Sequence, residues 1–269
     1  QAPGAKVATA HPCSEKAKTV LFNRARGRAA RGAAGAVAGL RLAARGTRVA
    51  AAAGELGGIA VPPAGRELSE AFSRPYFAAS PDVTPLWDAR VAEARAAGDP
   101  LGGIVEICAR HVPAGLGEPV FDKLDACLAH ALMGVGAVKG VEVGDGFAAA
   151  RSVGSVNNDP LTPDGFAANH AGGILGGISS GQDIVLRAAV KPIASIAREQ
   201  QTIDREGRPA TVLVGGRHDL SAIPRIVPVL RAMTALTLAD ALLLQARMAA
   251  LPEEVLPLPR PAALRDGRW

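Results

Sequence analysis

Two glycine pairs set three residues apart constrain the fold more than any other feature of this chain. They are Gly172-Gly173 and Gly176-Gly177, inside the run Asn169-His170-Ala171-Gly172-Gly173-Ile174-Leu175-Gly176-Gly177-Ile178-Ser179-Ser180-Gly181-Gln182. Main chain without Cβ atoms turns sharply and comes close to another backbone or to a ligand. Each apolar run that follows ends in a cation: Lys191 closes the strand-like residues 184–190, and Arg217 follows residues 210–214. The pattern predicts strand ends that carry positive charge beside open main chain, an arrangement suited to an anion. The same glycines also serve strand packing alone, and spacing does not separate the two uses.

A chain of 269 residues with 48% apolar content can bury a substantial core. Aromatic residues make up only 3%, so backbone packing should outweigh ring stacking, and few platforms exist for single-stranded nucleic acid. The net charge of +5 is concentrated, since residues 16–48 hold nine Lys/Arg and no acid. A solvated helix face accounts for this better than a polyanion does, and with no recognition motif beside it no nucleic-acid partner is expected. The cysteines at 13, 108 and 127 lack metal-ligand spacing, and His11 with Cys13 is too small a set for a metal site. Their sparse, odd count fits a reducing cytoplasm. No uninterrupted apolar run approaches the ~18 residues of a membrane span, and no signal-peptide core opens the chain, so a cytoplasmic protein away from membranes is expected.

Periodicity predicts the elements in turn. Residues 1–19 read as a loose leader and 24–45 as a helix weakened by glycines. A strand at 48–59 ends at Gly57-Gly58, a proline-bearing connection covers 60–85, and a helix at 86–97 stops at Gly98-Asp99-Pro100. After a strand at 103–109, Phe121, Leu124, Leu128 and Leu132 recur at helical spacing, with Asp122, Lys123 and Asp125 off that stripe and His130 at its rim. Residues 138–143 alternate as a strand with Lys139 on the polar face. The polar loop 152–164 is a candidate flap over a ligand, and 202–207 turns a hairpin into 210–214. Residues 226–248 form the clearest helix, apolar nearly all round. Asp240 falls on its apolar face with Ile226, Leu230, Met233, Thr237 and Leu244, which makes it the candidate for a perturbed carboxyl group. The tail 251–269 carries four prolines and should wrap the surface of a single domain spanning 1–269. By itself this pattern says only mixed α and β.

Wording and order add more. The glycine run, Lys191-Pro192 and Gly216-Arg217-His218-Asp219, with Pro113-Ala114-Gly115-Leu116-Gly117-Glu118-Pro119-Val120-Phe121-Asp122-Lys123-Leu124-Asp125-Ala126 and Ala137-Val138-Lys139-Gly140-Val141-Glu142-Val143-Gly144-Asp145-Gly146-Phe147 upstream, resemble chorismate synthase. These are the flavin-dependent lyases of the shikimate pathway. The resemblance is close over residues 98–248 and loose over 27–98. It implies an α+β protein, a β-α-β-α sandwich in which antiparallel sheets enclose a helical core, assembled as a homotetramer. It implies a small phosphorylated substrate, 5-enolpyruvylshikimate 3-phosphate, which loses phosphate and a ring hydrogen in a 1,4-anti elimination that gives chorismate and requires reduced FMN. By the family pattern FMN is held by Gly136-Ala137, Gly176, Lys191-Pro192-Ile193-Ala194-Ser195 and Arg217, while Asp219 and Asp240 are alternatives for tuning protonation beside it.

The departures from that pattern are as informative. The family's Gly-Glu-Ser-His-Gly and Arg-Pro-Gly-His-Ala-Asp motifs do not occur, and none of the five histidines, at 11, 111, 130, 170 and 218, stands in either context. About the first third of the family pattern is absent or replaced. The Arg-Ser-Ser turn that touches flavin aligns with Arg28-Ala29-Ala30 or with Phe22-Asn23-Arg24, and neither supplies both hydroxyls. Leu220-Ser221 stands where Pro-Cys is usual. General acids are worth ~10²–10⁴-fold in rate, so the expectation divides between an impaired lyase and a flavin- or anion-binding scaffold without turnover.

Overall fold

The computed structural model describes residues 13–216 and 218–249, with the side chains of the first helix described from Gly27 onward. In chain order the elements are α1 (Cys13–Ala43), β1 (Arg48–Leu56), β2 (Ile59–Ala60), α2 (Thr84–Ala97), β3 (Gly103–Arg110), α3 (Leu124–Met133), β4 (Val138–Val143) and the single turn α4 (Gly154–Asn157). They continue with β5 (Leu161–Thr162), β6 (Gly165–Phe166), β7 (Ile174–Leu175), β8 (Ile178–Ser179), β9 (Ile184–Val190), β10 (Gln200–Ile203), β11 (Pro209–Val212) and α5 (Ile223–Ala249). One five-stranded sheet, β2-β1-β3-β9-β4, is antiparallel throughout, and β5-β6, β7-β8 and β10-β11 are separate ribbons.

Alternation along the strands decides which face the helices cover. Val105, Ile107 and Ala109 of β3, with Ile184, Leu186, Ala188 and Val190 of β9, are buried under the helices. Glu106 and Arg187 are directly opposite each other and project from the other face. α5 lies across β1 and β3, α1 packs along α5, and α3 fills the space between α5 and β4. The α1–α5 approach depends on Gly35, where a Cβ would lie 2.3 Å from the Cβ of Ala232. Leu42, Ile226, Leu230 and Leu238 are buried in this region. Each such side chain contributes about 1.5–3 kcal/mol relative to exposure. β1 is buried on both faces at Ala51, Ala52 and Ala53, because the segment after β2 folds back and forms a bridge between Ala53 and Ala78.

Several expectations change. Residues 13–19 are helical rather than loose, as Glu15, Lys16, Ala17 and Lys18 are good helix formers; residues 1–12 and the tail 251–269 lie outside the described residues. Strand 48–59 is instead a hairpin turned at Gly57-Gly58. Phe121 is not part of the buried stripe: α3 begins at Leu124, and Phe121 is 94% exposed. The polar loop contains α4 and the β5–β6 ribbon. α5 has the length and hydropathy of a membrane span over Ile223–Met248, with 56% of its most apolar window buried in the fold.

Asp240 is exposed rather than buried. The first half of α5 is enclosed on most sides, burying Ile226 and Leu230, but the second half buries Leu238, Ala239 and Leu242 on one side only. The helical stripe that begins in the core at Ile226 therefore ends in solvent at Asp240.

Candidate active site

At one end of the sheet β9 finishes, β4 begins and β3 begins. Lys191 directly follows β9, and its backbone N–H donates to the carbonyl of Ala137 at 2.9 Å, joining Gly136-Ala137 to Lys191-Pro192. Ala137 has φ 79°, a left-handed conformation rare for a residue with a Cβ. Such backbone costs about 1–3 kcal/mol and persists where surrounding contacts enforce it. Here the enforcing contacts are the Lys191 bond and the burial of Val135 and Val138 on either side.

Two more segments enter the same corner. Leu101 N–H donates to Leu220 O at 2.7 Å, which places Asp219 and Ser221 beside the start of β3. A Cβ on Gly102 would lie 2.6 Å from Val190 O and 3.0 Å from Pro192 Cδ, so Gly102 is what allows the Lys191-Pro192 corner to pack. Arg31 of α1 donates to Gly134 O at 3.2 Å, bringing the arginine-bearing half of that helix to the same corner. Sequence reading missed Leu101-Gly102, because Gly98-Asp99-Pro100 looked like a helix stop and nothing local signals a partner at Leu220.

Gly136, Lys191, Pro192, Ala194 and Ser195 are exposed, while Ile193 packs against the core. The Lys191 ammonium has no hydrogen-bond or ion-pair partner among the described residues. Asp219 is held by Arg225 at 2.7 Å, and His218 Nε2 lies 2.9 Å from Val214 O. A cavity of about 400 Å³ opens beside Pro192, lined by Arg90, Glu93, Asp99 and Gly102 among others. Arg217 lies outside the described residues. Exposed main chain beside an unpaired cation offers the donors that a phosphate or another anion needs.

The other predicted residues lie elsewhere. The glycine run folds at the start of β9: Asn169 Nδ2 donates to Asp183 O at 2.8 Å, and Gly173 N–H donates to Asn169 Oδ1 at 2.6 Å. Lys191 is at the opposite end of this seven-residue strand, about 23 Å away along it. Gly172 and Gly173 are buried, and Cβ atoms there would lie 2.3 Å from Gly144 N and 2.6 Å from Asp183 O. That pair serves packing. Gly176, at the turn of the β7–β8 ribbon, has φ 60° and no neighbouring atom within 4 Å of a Cβ position. The ribbon is tied to the start of α3 through Gly177 O and Leu124 N–H at 2.8 Å.

Asp240 belongs to the same pole. Together with burial, Asp122 and Asp125, its charge pushes the Cys127 thiol of α3 above the ordinary range, with burial the largest cause. The corner thus unites Gly136, Ala137, Lys191 to Ser195 and Asp219, and excludes Gly176 and Asp240. The glycine–lysine cradle expected from the sequence is not formed within one chain.

The fold and corner together define an α+β protein whose antiparallel sheet presents exposed main chain and a free cation at one end, a class suited to anionic ligands. The family profile described as chorismate synthase matches residues 15–243. A chorismate synthase of Desulfovibrio desulfuricans is 68% identical over 228 residues, covering 82% of this chain and 63% of the relative. One of Nitratidesulfovibrio vulgaris is 62% identical over 217 residues, covering 81% and 61%. A crystal structure of chorismate synthase superposes with a TM-score of 0.69 at 30% identity, over 81% of this chain and 63% of that one. The chain belongs to the chorismate synthase family, and it spans a little over three fifths of the length of these relatives.

Proposed function

We propose that this chain is a lyase that converts 5-enolpyruvylshikimate 3-phosphate to chorismate, with reduced FMN held at the corner between β4 and β9. The observation that carries this reading is the Lys191 ammonium, without a partner among the described residues, beside exposed main chain at Gly136 and from Ala194 to Ser195. In the elimination one C–O bond breaks, phosphate leaves with its electron pair, a ring hydrogen departs and a new C=C bond forms, with no net oxidation. Lys191 and the Ser195 hydroxyl hold the phosphorylated end of FMN, and fixed donors beside it stabilise charge that develops on the leaving group of the substrate. Asp219, oriented by Arg225 at 2.7 Å, supplies the negative charge that tunes protonation beside that ledge. Bound flavin supplies an electron-rich ring against the substrate.

The residues fit the flavin in part. The ledge matches its phosphate, whereas Gly176 and Asp240 are too distant to touch the same molecule. The chain acts as a homotetramer in the cytoplasm. Exposed Val37 and Leu40 on α1 and Leu243 on α5 support further association of the helical layer.

A second reading, a flavin or anion binder without turnover, is supported by the same ledge, since exposed main chain and a cation hold an anion whether or not elimination follows. Anaerobic titration with reduced FMN, then addition of the phosphorylated substrate with chorismate followed by absorbance, decides between them. Flavin binding with chorismate formation supports the lyase; flavin binding without product supports the scaffold; absence of flavin binding defeats both.

A further inference from the structure

A cavity of about 540 Å³ lies away from the corner on the sheet face opposite the helices, toward the other end of β9. Four arginines line it, Arg48, Arg66, Arg110 and Arg187, against the carboxylates of Glu106 and Asp145. Two of the four are committed. Arg66 donates from Nε and Nη2 to Val61 O at 3.0 and 2.8 Å and pairs with Glu106 through Nη1. Arg187 pairs with Glu142 at 3.1 Å and donates to Asp145 O at 3.2 Å. Asp145 is itself taken by His170 Nδ1 at 2.7 Å.

The remaining two are not matched. Arg48 and Arg110 are directly opposite each other in the β1–β3 ladder. Like charges in that relation destabilise a sheet. Arg110 is held loosely, by Asp183 at 3.7 Å and by the Cys108 thiol, with Glu67 within its field, and the Arg48 side chain has no polar partner among the described residues. His111 is beside them, its carbonyl held by Thr47 Oγ1 at 2.8 Å. Ala50, Leu68 and Val185 supply an apolar wall.

We propose that this cleft binds a small organic phosphate monoester, its dianionic head between Arg48 and Arg110 and its hydrocarbon body on Ala50, Leu68 and Val185. Opposed strand residues sit about 4.5–5.5 Å apart, so two guanidinium forks reach different oxygens of one head group. A monocarboxylate fills one fork. The site is separate from the corner and holds whether or not the corner performs the elimination.

Titration calorimetry at low salt tests it, with phenyl phosphate, benzoate and inorganic phosphate as probes. Phenyl phosphate binds, and benzoate and inorganic phosphate bind about tenfold more weakly, one lacking the second charge and the other the ring. Arg48→Gln and Arg110→Gln each weaken phenyl phosphate about tenfold, whereas Lys191→Gln at the corner leaves it within about twofold. Arg48 makes no hydrogen bond or ion pair among the described residues and faces a like charge, so Arg48→Gln keeps or raises the thermal midpoint and decides the matter should Arg110→Gln unfold. The proposal is overturned by no heat with phenyl phosphate, by benzoate or inorganic phosphate binding as tightly as phenyl phosphate, by unchanged affinity in Arg48→Gln, or by loss in Lys191→Gln equal to that in Arg48→Gln.

Discussion

At the Ile184 end of β9, glycine main chain is buried against other main chain, at Gly172 against Gly144 and at Gly173 against Asp183. Arg187 and Asp145 nearby are consumed by partners within the fold. At the Val190 end the relation is reversed: an alanine rather than a glycine takes the left-handed conformation, main chain from Ala194 to Ser195 is exposed, and the Lys191 ammonium has no partner among the described residues. Structure that satisfies its own polar groups holds a fold together, while structure that leaves them open is available to a ligand. By that criterion the corner at Val190 is open to a ligand and the paired glycines at Ile184 are a joint, while the open polar groups of the Ile184 end lie apart from that joint, at Arg48 and Arg110 on the outer sheet face.

The sharpest way to break this contrast is to add one methyl group in two places. Gly172→Ala puts a Cβ 2.3 Å from Gly144 N at φ 64°, and is expected to cost about 3 kcal/mol in denaturant unfolding. Gly176→Ala meets no atom within 4 Å and carries only the conformational penalty at φ 60°, about 1 kcal/mol. Equal losses at both sites would erase the distinction between joint and open turn.

The side-chain network of the sheet's outer face gives the next effect. Burial raises the Glu106 carboxyl above its ordinary range, against the lowering influence of Arg66 and then Arg187. Arg66→Leu leaves that carboxylate without its closest cation. With side chains 27% and 12% exposed, the loss should be about 2 kcal/mol at neutral pH, below the 3–5 of a fully buried pair. Because the folded value lies above the unfolded one, the penalty is complete above the folded value and disappears as pH falls below 4.5, where both states are protonated. Unfolding curves of the variant at neutral and acidic pH check both size and sign; a loss that grows on acidification refutes the assignment.

At the ligand end the expected change is in affinity. Lys191→Gln should weaken FMN about tenfold, near 1.4 kcal/mol, with stability within about 0.5 kcal/mol of wild type, since the ammonium has no polar partner among the described residues. Fluorescence titration of FMN beside a thermal melt separates the two readouts. A destabilised variant with unaltered FMN affinity would make Lys191 structural and move the ligand elsewhere.

Much of the fold was legible because strands alternating between buried and open faces leave a two-residue period: β4 and β9 have the predicted bounds, and β3 differs by one residue. The corner could be assembled from Ala137, Lys191 and Asp219 through family wording, but not through spacing. What escaped depends on partners remote in the chain. Asp240 shares a helical stripe with Ile226, and its exposure follows from where the covering elements end. Gly176 shares a motif with Gly173, yet the β7–β8 turn carries it to the start of α3, away from Lys191. Arg48 and Arg110 meet only through strand pairing, so neither stood out in a linear reading.

Ala137 provides the smallest effect and the finest test of the contrast, because there the corner departs most from what its residue prefers. At φ 79° the Cβ is strained, and glycine adopts this conformation freely. Ala137→Gly relieves strain in the folded state and adds freedom to the unfolded chain; these oppose each other, and for a left-handed site the relief should prevail by about 1 kcal/mol. The variant should therefore unfold at higher denaturant concentration with an unchanged slope. If the alanine also serves to hold the Lys191 N–H and its ledge in register, the same variant should bind FMN more weakly while being more stable. A joint that merely holds the sheet together has no reason to separate those two readouts. Stability and FMN affinity that rise together in Ala137→Gly would show the strain to be incidental, and would leave the Lys191 ammonium and the exposed residues after it to distinguish the Val190 corner from the glycine joint.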